Sequence, residues 1–243
     1  MIKDIFKKLK LYGFNKFFRY SVAELSRLLY WNLLRGSYSQ KQEDLIIDKL
    51  TGNKKIGFYI DIGASDPNRF NNTKRFYERG WSGINVEPNV VLIDKINEAR
   101  KRDINLNIGI GNSNNKTVFY VFYPDTLSTF SRDEADEYLR QGFKVEKETE
   151  VELRSLKDVL DQYAKGKEVD FLTIDTEGND LTALQSNDWN IHRPTLLCVE
   201  MNTHGGSRSG SEPLQKYLES IKYEKVHDNG LNAIYLDKLS RRK

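Results

Sequence analysis

From residue 56 onward, short apolar runs alternate with segments in which apolar residues recur every three or four positions. Runs bounded by Gly or polar turns read as buried strands, and the periodic segments between them read as helices. The pattern predicts strands over 56–62, 82–86, 104–110, 170–174 and 195–201. It predicts helices over 73–78, 90–101, 156–163, 181–186 and 214–221, with a further short one over 44–50 before the first strand. Such alternation builds a parallel sheet covered on both faces, so the expected class is α/β and doubly wound. An antiparallel pair over 223–227 and 233–236 closes it. Asn114-Asn115 reads as the turn of a hairpin leading into a strand over 117–123, and the polar residues 125–150 as an excursion near the mouth of a crevice.

The first 36 residues have a different rhythm. Ile2, Ile5, Phe6, Leu9, Phe14, Phe17, Phe18, Val22, Leu25, Leu28 and Leu29 follow a helical period, and eight Lys or Arg stand against Asp4 and Glu24. A basic amphipathic helix lies on an anionic membrane or packs on its own domain or a second subunit, and both readings stay open. The division is therefore a helical extension over 1–36 and one α/β domain over 37–243. The net charge of +3 does not point to nucleic acid, and 38% hydrophobic residues with 5 Pro describe a folded chain. The single cysteine, Cys198, sits in the apolar run Leu196-Leu197-Cys198-Val199 and excludes an internal disulfide. No uncharged stretch reaches the ~20 residues that span a bilayer, and no signal-peptide pattern opens the chain. A cytoplasmic protein is expected, with the inner membrane face as the alternative if the extension binds lipid.

Chemistry concentrates at strand ends. Gly57-Phe58-Tyr59-Ile60-Asp61-Ile62-Gly63-Ala64-Ser65-Asp66-Pro67 reads as a buried strand running into a turn of small residues, and Asn85-Val86-Glu87-Pro88 closes the second strand with an acid. In a Rossmann-like sheet this arrangement frames a nucleoside, with Glu87 placed for the two ribose hydroxyls. A dinucleotide site wants Gly-x-Gly-x-x-Gly, whereas the slots are filled by Gly63, Ser65 and Asn68 with Asp66 close by. A carboxylate repels a pyrophosphate but suits the amino-acid end of S-adenosylmethionine. A nicotinamide-dependent oxidoreductase is thereby disfavoured.

The chain resembles the FkbM-type methyltransferases, a class I S-adenosylmethionine-dependent family. The segments are Ser39-Gln40 with Glu43-Asp44, the Asp61–Pro67 turn, Asn72-Thr73, Gly80-Trp81-Ser82-Gly83-Ile84-Asn85-Val86-Glu87-Pro88-Asn89, Ile108-Gly109-Ile110-Gly111-Asn112, Ile174-Asp175-Thr176-Glu177-Gly178-Asn179-Asp180, and Arg193-Pro194 before Val199-Glu200. The resemblance implies that Asp61, Gly63 and Ala64, with Ser65 and Asp66 in the same turn, border the methionine portion. Glu87 takes the ribose, with Pro88 and Asn89 beside it. Gly111 and Asn112 approach the adenine, and Asp175 sits near the sulfonium and the acceptor.

The resemblance also implies O-methylation of a hydroxyl, often of a sugar in a bacterial glycan or natural product. Candidate bases at the ends of strands four and five are Asp175, Glu177, Asp180, Glu200 and His204. A metal-free scheme is preferred. The alternative gathers Asp175, Glu200 and Asn202 around a divalent cation. Bland roles compete: Glu177 capping a helix, Glu200 paired with Arg193, and His192 and His227 as structural histidines. Arg132 and Arg208 are candidates for an anionic group on the acceptor, and Phe130, Tyr138 and Phe143 for a sugar ring. A homo-oligomer stays open, and the rival function is a non-catalytic nucleoside-fold scaffold that binds a partner through the N-terminal helix.

Overall fold

The computed structural model describes residues 36–176, 178–201 and 211–239. Apart from Gly36, the extension read over 1–36 lies outside the described residues, as do Glu177, Asn202, His204 and Arg208. The architecture belongs to a compact unit that begins at Ser39. It opens with α1 (Glu43–Leu50), β1 (Phe58–Ile62), α2 (Lys74–Arg79), β2 (Ser82–Val86), α3 (Val90–Ala99) and β3 (Ile104–Leu106). An inserted section follows: β4 (Gly109–Ile110), β5 (Lys116–Phe122), α4 (Arg132–Arg140) and β6 (Val145–Arg154). The chain then returns through α5 (Leu156–Tyr163), β7 (Phe171–Ile174), α6 (Asp180–Gln185), β8 (Leu196–Glu200), α7 (Glu212–Ser220), β9 (Tyr223–Asp228) and β10 (Asn232–Asp237).

Seven strands form one sheet in the order β3-β2-β1-β7-β8-β10-β9. All neighbours up to β8 are parallel, and β10 is antiparallel to both β8 and β9. The doubly wound class expected from the sequence is what forms. Every residue of β1 is buried, as a central parallel strand requires. Side chains alternate between faces. Phe58, Ile60 and Ile62 join one apolar layer with Leu156, Leu160, Leu184 and Leu218 of the helices that follow β6, β7 and β8. Tyr59 points the other way, into a layer with Ile47 of α1, Phe76 of α2, Trp81 and Phe171. Asp61 shares that second face, which aims its carboxylate at the start of α2.

Between β3 and α5 the structure departs from expectation. The single strand read over 104–110 is two. β3 pairs with β2 only as far as Val86↔Leu106, beyond which β2 offers no partner, and β4 pairs instead with β6. Asn107 fixes the break, its Nδ2 donating to the carbonyls of Glu87 and Pro88 at 2.9 Å each. The hairpin partner of β5 is β6, about thirty residues on, rather than the strand before Asn114. The polar excursion read over 125–150 contains α4 and most of β6. Its Glu146, Lys147, Glu148, Glu150 and Glu152 are exposed, and residues of that kind have low strand propensity. The second sheet thus runs β4-β6-β5.

Candidate functional site

The loop from β1 to α2 is held by backbone and by one buried acid. Gly63 takes φ +77°, and its N–H donates to Val86 O at 2.9 Å, with Ala64 N–H on the same carbonyl at 3.1 Å. A Cβ at residue 63 would lie 1.9 Å from the backbone oxygen of Asp175, so only glycine lets the first and fourth parallel strands' loops meet. Ser65, also left-handed at φ +50°, donates its N–H to Glu87 Oε2 at 2.9 Å. Asn89 N–H donates to Oε1 at 2.8 Å, and the Asn89 side chain caps α3 through Val91 N–H at 3.0 Å. Each Glu87 oxygen keeps acceptor capacity after these bonds. Glu87 is only 4% exposed, and burial pushes its carboxyl up to about 7, against the pull of the two N–H donors. Asp61, 5% exposed, accepts Thr73 Oγ1–H at 2.8 Å, and burial lifts it to about 6.

Asn71 joins these pieces. Its Oδ1 accepts from Thr73 N–H, Lys74 N–H and an Arg100 guanidinium N–H at 3.0, 2.7 and 3.0 Å. Its Nδ2 reaches back to the carbonyls of Ala64 and Asp66 at 3.4 and 3.3 Å. Arg100, itself buried, donates to Pro67 O at 2.8 Å and stacks on Tyr77. One amide therefore clamps the loop, the start of α2 and the end of α3.

The ends of β1, β2, β7 and β8 open into a cavity of about 340 Å³. Asp61, Gly63, Ser65, Glu87, Asp175 and Glu200 stand on its wall. Open parallel sheets bind ligands at this place, outside the carboxyl ends of the strands. Asp175 is exposed, and the turn after it is held by Asp180, whose Oδ1 accepts from Thr176 N–H at 2.8 Å and Oγ1–H at 2.6 Å. Asn179 closes the turn against the second sheet, donating to Ile110 O at 3.0 Å.

The model of the FkbM methyltransferase domain matches residues 61–225, from the first strand-ending acid into β9. The chain belongs to the FkbM methyltransferase family. Its fold is that of a class I methyltransferase. Among solved structures it is similar to an FkbM methyltransferase from Methylobacillus flagellatus, at 14% identity and a TM-score of 0.48 over 75% of this chain and 44% of that one. The chain thus spans less than half the length of that protein. It is also similar to the METTL16 methyltransferase domain (11% identity, TM-score 0.47, 82% and 68% covered) and to a TehB-like SAM-dependent methyltransferase from Corynebacterium glutamicum (11%, 0.43, 90% and 99%). No curated protein matches it.

In this member of the family, Asp61, Gly63, Ala64, Ser65, Glu87, Pro88, Asn89, Asp175 and Glu200 share the cavity wall. Asp66, Gly111 and Asn112 do not stand on it. Asp66 turns back to accept the N–H groups of Asn68 and Arg69 at 2.9 and 3.1 Å, and Gly111 is drawn to the second sheet through Arg154 O. Ile108, Gly109 and Ile110 occupy the wall instead. Glu200 does not pair with Arg193, which forks onto Asp237 at 2.6 and 3.0 Å. His192 holds Asp161 at 2.7 Å, the structural role expected of it. Arg132 pairs with Asp136 away from the cavity, and Tyr138 and Phe143 pack with Phe122 and each other under α4, whereas Phe130 lines the cavity. Cys198 is buried, its thiol pushed up by desolvation. Among the described residues no group of three or more His, Cys, Asp or Glu is arranged for a metal ion, and no helix is long and apolar enough to cross a membrane.

Proposed function

We propose that the protein is an S-adenosylmethionine-dependent O-methyltransferase acting on a hydroxyl, with a sugar of a glycan or natural product as the acceptor class. The observation that carries this reading is the pair of buried carboxylates, Asp61 and Glu87, at adjacent strand ends on one cavity wall. They fit the donor's chemistry. Glu87 keeps free acceptor positions for a diol, and Asp61 places negative charge where a cationic ammonium and sulfonium gain from it. Bound S-adenosylmethionine supplies an electrophilic methyl carbon. The protein's own task is to orient the acceptor oxygen and take its proton.

Positioning accounts for about 7–11 kcal/mol of such a barrier, and a placed base for about 10²–10⁴ in rate. The register Ile174↔Val199 carries Asp175 and Glu200 to neighbouring strand ends on the cavity, which supports them as candidate bases for the hydroxyl proton. Glu177 and His204 stay candidates from the sequence. Calorimetric titration with S-adenosylhomocysteine and with NAD tests the donor: binding of the first and silence of the second is expected, and the reverse overturns the reading. Labelled donor with a panel of nucleotide sugars and glycans tests the acceptor.

The basic segment before Gly36 adds a second proposal, contact with an anionic membrane that brings the enzyme to lipid-linked glycan. Unchanged binding to phosphatidylglycerol vesicles after removal of residues 1–35 overturns it.

A further inference from the structure

The inserted sheet sends a strap, residues 123–130, back to the cavity. The strap is tied down at its far end. Tyr120 and Thr129 exchange backbone hydrogen bonds at 2.9 and 3.1 Å, and the buried Ser128 Oγ accepts Phe122 N–H at 3.1 Å. Its near end is a 3-10 turn, Asp125–Leu127, closed by Leu127 N–H on Pro124 O and Ser128 N–H on Asp125 O. Asp125 stands on the cavity wall with Thr126, Ser128 and Phe130. Phe130 packs on Phe119 at 4.6 Å and over Gly109, where a Cβ would come within 2.6 Å of its ring. The strap is therefore seated against the Ile108–Ile110 side of the cavity.

Among the described residues the Asp125 carboxylate has neither a hydrogen-bond nor an ion-pair partner, in contrast to the backbone around it. It is close enough for its charge to act on the buried Glu87. Two carboxylates on the wall of one cavity repel. A neutral ligand with two O–H donors between them removes the conflict, because each carboxylate gains a charge-assisted hydrogen bond.

We infer that Asp125 is a second carboxylate for the donor's ribose diol, brought to Glu87 by the inserted sheet. This rests on the donor reading of the cavity. Asp125 and Glu87 take one hydroxyl each, and the Phe130 ring forms the wall beside the base. The strap thus contributes to donor affinity, while the acceptor is held elsewhere.

The test is calorimetric titration of the full chain, wild type and the variants Asp125→Ala and Asp125→Asn, with S-adenosylhomocysteine, 5′-methylthioadenosine and 2′,3′-dideoxy-5′-methylthioadenosine. For Asp125→Ala about a 10-fold loss of affinity is expected for the two ribonucleosides, the size of one charge-assisted hydrogen bond, with little change for the deoxy ligand. Asp125→Asn, which keeps an acceptor oxygen, is expected to recover part of that loss. Equal losses for ribo and deoxy ligands overturn the inference, as does a raised acceptor KM with unchanged donor affinity. If wild type binds none of the three, the donor reading itself falls. If wild type binds and Asp125→Ala binds equally well, only the strap's role falls.

Discussion

Glu87, at the end of β2, accepts the backbone N–H of Ser65 at 2.9 Å, so an acid on the cavity wall also shapes the loop that faces it. Ser65 adopts a left-handed φ of +50° to make that bond, a conformation a non-glycine residue holds only when its surroundings supply compensation. The shape of the cavity wall and that of the loop are therefore coupled through one carboxylate.

That coupling gives a pH signature. The Glu87 carboxyl is raised from 4.5 to about 7 and Asp61 from 3.8 to about 6, both chiefly by burial. A raised acid binds more protons folded than unfolded, so its contribution is full below the unfolded value and is lost as pH rises through the folded one. The ligand-free protein is expected to lose Tm between about pH 4 and pH 8, and Glu87→Gln to flatten the upper part of that fall. Scanning calorimetry across pH checks it; superimposable wild-type and Glu87→Gln profiles contradict the assignment.

Asn71→Ala removes the clamp between Ala64, Asp66, Thr73 and Arg100. Each buried donor left without a partner costs about 1–3 kcal/mol, and Arg100 already has one guanidinium nitrogen without a hydrogen bond. Urea denaturation should show a loss of at least about 2 kcal/mol, on the same basis. Titration of folded protein should show weaker S-adenosylhomocysteine binding, since the 63–67 loop loses its tie. Retained stability and affinity together sink this view of Asn71.

Gly63→Ala puts a methyl group into the Asp175 carbonyl and demands a left-handed φ of an L residue. A backbone atom cannot swing aside as a side chain does. We expect no soluble folded protein, or one more than about 3 kcal/mol less stable that no longer binds donor. Gly111→Ala is the contrast: its Cβ would meet only Leu153 at 3.3 Å, so near-wild-type folding is expected from circular dichroism and thermal melts.

Asp175→Asn and Glu200→Gln separate the candidate bases. Removing a true base should lower kcat by about 10²–10⁴ at saturating donor while donor affinity holds. The other substitution should change mainly the acceptor KM. Full turnover in both variants moves the base to Glu177 or His204.

The central strands and the two acids at their ends were legible in the sequence because local signals define them. A five-residue apolar run, a turn of small residues and a following helix are read within about fifteen positions. What the sequence did not show is that Asp66 also forms an Asx-type turn, its Oδ1 accepting the Asn68 and Arg69 N–H groups. Asn71 carried no signal beyond its place before Asn72-Thr73, since a hub is defined by partners from three elements.

From the sequence alone came the class of sheet, the order of its strand–helix units, and Asp61 and Glu87 as neighbours at adjacent strand ends. Their period and turn chemistry are properties of short segments. Tertiary structure alone decided that β5 pairs with the Glu-rich β6, that Arg193 goes to Asp237, and that Phe130 and Asp125 come to the cavity that Glu87 lines. Those outcomes depend on pairing between distant segments, where the burial of Val151, Phe119, Tyr120 and Phe122 outweighs the weak strand propensity of the exposed Glu residues.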